Sequence, residues 1–73
     1  MTSNYRTTAR GDVWTTFEAT SPQEAAVKQA QAWTDLGYKP PFYIFVSKEG
    51  EENARLYEVR PEGWSANEVP TWG

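Results

Sequence analysis

The sequence predicts an α+β domain of β-β-α-β-β order, with one helix packed on one face of a four-stranded, mainly antiparallel sheet. Three observations lead there. A capped, amphipathic stretch, "SPQEAAVKQAQAWTDLGYKPP", occupies the middle of the chain; pairs of strand-like runs lie before and after it; and 73 residues leave room for a single core. A core of that size rarely supplies more than about 3–5 kcal/mol net. The chain has neither Cys nor His, which excludes disulfides and Cys/His zinc sites as staples. Aromatic residues, 15% of the chain, are the available substitute, since each ring buries roughly 150–250 Å².

Residues Tyr5 to Ala9 and Val13 to Ala19 form the first strand pair. A loop of Arg10, Gly11 and Asp12 sets Ala9 against Val13, Thr7 against Thr15 and Tyr5 against Phe17. That register gathers Tyr5, Ala9, Val13, Phe17 and Ala19 on one side and leaves Arg6, Thr8, Trp14, Thr16 and Glu18 on the other. A two-residue loop would mix charge with apolar groups on one face, so the longer loop is expected. Arg10-Gly11-Asp12 is also the tripeptide that integrin receptors read. Asp tolerates the left-handed conformation such a loop requires, so a turn is sufficient cause for it.

The helix begins at Ser21, with Pro22 in the first helical position and Glu24 completing a capping box. Ala26, Ala30, Trp33 and Leu36 recur as one apolar stripe, and their small alanines let the helix approach a sheet closely. Gly37 ends the helix, and Pro40 and Pro41 prevent its resumption. Beyond the prolines, Phe42 to Ser47 and Arg55 to Val59 read as a second hairpin around a charged loop containing Gly50 and Asn53. The domain spans residues 1–73, with residues 61–73, "PEGWSANEVPTWG", as a C-terminal tail bearing Trp64 and Trp72.

One helix covers one face of such a sheet. Tyr5, Val13, Phe17, Ile44 and Val46, with Tyr57 and Val59, are expected beneath it. Trp14, Tyr43, Phe45 and Leu56 are then displayed on the other face, more aromatic surface than a small monomer leaves bare without cause. Three occupants compete for it. The tail folds back and lays Trp64 or Trp72 over the face; a protein docks there, either a second copy or a different partner; or single-stranded nucleic acid stacks on the rings, assisted by Arg6 and Arg55.

Charge bears on that choice. Up to residue 47 the chain carries four basic and four acidic residues; from Lys48 onward it carries three basic against six acidic, which accounts for the net −3. No basic stripe of the kind a duplex binder needs is present. Catalysis has little support: there is no His to act as base, no Cys nucleophile, no phosphate-binding glycine loop and no G-x-S-x-G motif. Glu49, Glu51 and Glu52 lie in a loop expected to be solvated, without calcium-loop spacing. No metal and no cofactor are expected. In size and acidity the chain resembles accessory proteins of phages and bacterial mobile elements, a likeness that no motif carries further. No apolar run approaches the ~20 residues of a membrane span, and "MTSNYRTTAR" lacks a signal peptide's apolar stretch, so a cytoplasmic protein is expected. The reading is a non-enzymatic protein-binding or adaptor module acting through Trp14, Tyr43 and Phe45 or through Trp64 and Trp72. A single-stranded nucleic-acid binder on the same aromatic face is the alternative.

Overall fold

A computed structural model describes residues 2–9 and 13–70. Five strands and one helix follow in order: β1 Ser3–Thr8, β2 Thr15–Ala19, α1 Pro22–Asp35, β3 Phe42–Lys48, β4 Arg55–Arg60 and β5 Ser65–Val69. All neighbouring strands are antiparallel, in the spatial order β2-β1-β3-β4-β5. The class is the α+β one the sequence predicts. The strand count is corrected from four to five, because Ser65–Val69, read as tail, pairs with β4.

The first hairpin keeps the expected register, with Tyr5 opposite Phe17 and Thr7 opposite Thr15. Its connecting loop, Arg10-Gly11-Asp12, lies outside the described residues. Val13 is not buried beneath the helix as expected; it sits before β2 and is 72% exposed. β1 then pairs with β3 on its other side, Thr7 opposite Val46 and Thr8 opposite Phe45.

The helix starts as its sequence dictates. Ser21 is extended, and its Oγ accepts the Glu24 backbone N–H at 3.1 Å, a cap of the kind worth about 0.5–2 kcal/mol. The reciprocal arm reaches one residue further back than a capping box does. The Glu24 carboxylate accepts the Thr20 hydroxyl at 2.8 Å and the Thr20 N–H at 3.3 Å, while Lys28 lies 3.6 Å away. Those two Thr20 hydrogen bonds, aided by Lys28, hold the Glu24 carboxyl below its usual range. A depressed folded-state pKa stabilises above the unfolded value and is lost as pH falls through the folded one. The difference in melting temperature between wild type and Glu24→Gln should therefore be full at neutral pH and close in acid. A difference that is constant across the series would refute the linkage.

The helix ends at Leu36, where the Gly37 N–H donates to the Thr34 carbonyl and the Tyr38 N–H to the Trp33 carbonyl, both at 3.0 Å. This is the Schellman arrangement, and Gly37 takes the left-handed φ of +96° that it requires. Leu36 is 74% exposed rather than part of the stripe; it shares the angular phase of the buried Ala25 and Gln29 but, as the C-cap, lies beyond Trp33 at the end of the packed layer. The side that packs on the sheet is made by Ala25, Ala26, Gln29 and Ala30.

These small residues let α1 settle on Tyr5, Ala19, Phe42, Ile44, Val46, Tyr57 and Val59, all buried. Trp33 tilts against Phe42 with ring centroids 6.0 Å apart and closes one end. Gln29 brings a polar group inside, and the Thr7 hydroxyl donates to its Oε1 at 2.7 Å. Burial pushes the Tyr57 phenol above its ordinary range, and the Glu68 carboxylate adds to the effect. The ion pairs Lys28–Glu24, Arg55–Glu68 and Arg60–Glu58 are solvent-accessible and contribute little, so the apolar layer carries the fold.

β5 joins β4 through a tight turn over 61–64, in which the Trp64 N–H donates to the Pro61 carbonyl at 3.3 Å. Trp64 holds a left-handed φ of 50° there. That conformation costs a non-glycine residue roughly 1–2 kcal/mol, and packing of the indole against the core offsets it.

Candidate protein-binding face

Strand alternation sorts every side chain to one of two faces. Because Ile44 and Tyr57 lie under the helix, their neighbours Tyr43, Phe45, Leu56 and Glu58 occupy the opposite face, as do Arg6 and Thr8 of β1. Among the described residues, no helix lies on that face, although the β3–β4 connection reaches one corner of it, where the buried Ser47 donates its hydroxyl to the Glu51 carbonyl at 2.9 Å.

A row crosses it through four strands: Thr8 opposite Phe45, Phe45 opposite Leu56, Leu56 opposite Val69. The last three are half-buried by one another, and Thr8 is only 2% exposed although no helix lies over it. Trp14, just before β2, is also half-buried, and the Arg6 guanidinium stands 4.9 Å from its ring centroid. Such a cation–π contact fixes a ring at modest gain, about 0.5–1 kcal/mol in the open. Tyr43, 46% exposed, donates its hydroxyl to Glu58 at 3.2 Å, and Arg60 holds the other Glu58 oxygen at 3.3 Å. The face thus has an apolar middle, rings toward two of its sides and a charged margin.

The sequence-predicted residues divide as follows. Trp14, Tyr43 and Phe45 come together on this face. Trp64 does not; it packs on the helix side, against the core. Trp72 lies outside the described residues. Arg55 faces Val46 and falls on the helix side as well, where it pairs with Glu68 at 3.3 Å, so it does not flank the aromatic row. Sequence reasoning missed Val69, whose apolar side chain stood in an apparent tail; only its pairing with Leu56 brings it into the row.

A second feature borders the first. Trp33, Tyr38, Pro41, Phe42 and Tyr43, together with Lys39 and Ala9, line an open groove of about 640 Å³ at the end of α1. Tyr43 belongs to both. Among the described residues, no cluster of His, Cys, Asp or Glu is placed to hold a metal ion, and no helix is long and apolar enough to cross a membrane. No family model matches the chain, and neither a curated protein nor a solved structure matches it.

Proposed function

We propose that this domain is a non-enzymatic binding module that docks another protein on its open sheet face. The observation that supports the reading is the half-buried apolar row Phe45–Leu56–Val69, edged by Trp14 and Tyr43 on a face without a helix. Aromatic anchors around a desolvating centre, with a polar margin, are what protein interfaces use for affinity. Single-stranded nucleic acid is the alternative. It is less well served, because Arg6 is already engaged with Trp14, Arg60 with Glu58, and Arg55 lies on the other side of the sheet.

The test begins with capture of partners from the source cell by wild type and by Trp14→Ala, identified by mass spectrometry. Binding of the captured partner is then titrated against both forms. Trp14→Ala should weaken it by roughly 2 kcal/mol or more, as anchor truncations do, while the melting temperature falls little. Affinity should change little between about 50 and 200 mM salt, a range over which phosphate contacts lose orders of magnitude. Equal binding by the two proteins would reject the face. Steeply salt-dependent binding of an oligothymidylate, abolished by Trp14→Ala, would replace the protein partner with nucleic acid.

A further inference from the structure

The sheet has two edges, and the chain treats them differently. The Glu49 N–H donates to the Asn4 carbonyl at 2.9 Å, which turns the backbone groups of Asn4, and of every second residue of β1, toward β3. Tyr5 and Thr7 therefore bond toward β2, so Thr16 and Glu18 of β2 present their N–H and C=O groups outward. A helix side chain caps one group of that edge: the Lys28 Nζ donates to the outward Glu18 carbonyl at 2.6 Å. A lysine laid along an edge is a standard obstacle to further strand addition.

Carried across β3 and β4, the same alternation turns Ser65, Asn67 and Val69 toward β4 and leaves Ala66 and Glu68 facing outward. Among the described residues, no side chain is hydrogen-bonded to those two backbones. The Glu68 carboxylate is drawn aside by Arg55.

We propose that β5 is a self-association edge, which pairs antiparallel with β5 of a second copy about a two-fold axis at Asn67. Three symmetric registers bring outward-facing groups together, and two of them fail. Centring on Glu68 sets like charges opposite each other and sets Ala66 against Pro70, which has no N–H to give. Centring on Ala66 sets Glu68 against Trp64, which is not extended and whose N–H is already donated to Pro61. Centring on Asn67 pairs each Ala66 with the other copy's Glu68, so every outward group is satisfied and no like charges meet. Asn67, exposed on the open face opposite Glu58, then faces its own symmetry mate. The product is a ten-stranded sheet with both helices on one face and both aromatic rows on the other.

Sedimentation velocity on the full chain across a concentration series, at low salt, tests the proposal. Wild type should sediment faster as concentration rises. Asn67→Lys and Asn67→Glu alter an exposed side chain; the lysine variant should melt near wild type by circular dichroism and the glutamate variant, set opposite Glu58, somewhat below it, yet both should remain monomeric because like charges oppose across the axis. An equimolar mixture of the two should recover association. Amide exchange at Ala66 and Glu68 should slow with concentration while that at Thr16 does not. A wild type that stays monomeric throughout overturns the proposal. So does association that Asn67→Lys leaves intact, which would place the contact elsewhere, and loss of that association in Trp14→Ala would assign it to the aromatic face.

Discussion

A chain truncated after Pro61 should not unfold cooperatively at 25 °C. Removing residues 62–73 strips β4 of its outer partner along Arg60–Ser65, Glu58–Asn67 and Leu56–Val69, and takes away Trp64 and Ala66, both packed against the core. Each lost ladder bond costs about 0.5–1.5 kcal/mol net, and removal of the half-buried Trp64 ring adds to this, by less than the ~3–5 kcal/mol of a fully buried one. The sum exceeds the ~3–5 kcal/mol that a core of this size supplies. Circular dichroism through a urea titration is the measurement. A truncated protein with a wild-type midpoint would show that β5 lies outside the cooperative unit.

Ile44→Ala should cost about 2–5 kcal/mol, the range for large-to-small changes in cores. Ile44 has no exposed surface, lies between α1 and the sheet and faces Tyr57 across the strand pair, so the lost methyl groups leave a void that rigid neighbours cannot fill. The adjacent position supplies the control. Tyr43, one residue earlier on β3, points to the open face, and Tyr43→Ala should cost about 1 kcal/mol or less, nearer the typical single-mutant effect. Urea midpoints for the two variants check this, and equal losses would mean that both faces are equally packed. A destabilised Tyr43→Ala would also remove the basis for assigning that face to a partner.

Much of this arrangement is legible in the chain, and the legible parts share a cause. Ser21 finds its acceptor role within three residues, at the Glu24 N–H; Gly37 supplies the helix stop within its own turn; and the alternation from Tyr5 to Phe17 sets the first register through one short loop. Each is decided by neighbours along the sequence, which any reading of the sequence contains. The separation of Trp14, Tyr43 and Phe45 from the helix side follows from the same alternation.

The C-terminal stretch was decided differently. Ser-Ala-Asn-Glu-Val is poor in the β-branched and aromatic residues that mark strands, and alone it has no reason to extend. It becomes β5 because β4 offers a row of unpaired backbone groups and because Trp64, half-buried against the core, holds the turn that brings it back. The same non-local cause places Arg55 with Glu68 on the helix side and Val69 in the aromatic row. Caps, turns and registers are short-range contests that the sequence by itself determined. Which strand takes the last edge, and therefore what the open face contains, was settled only when distant segments met, since the hydrogen bonds that reward the pairing do not exist until the sheet does.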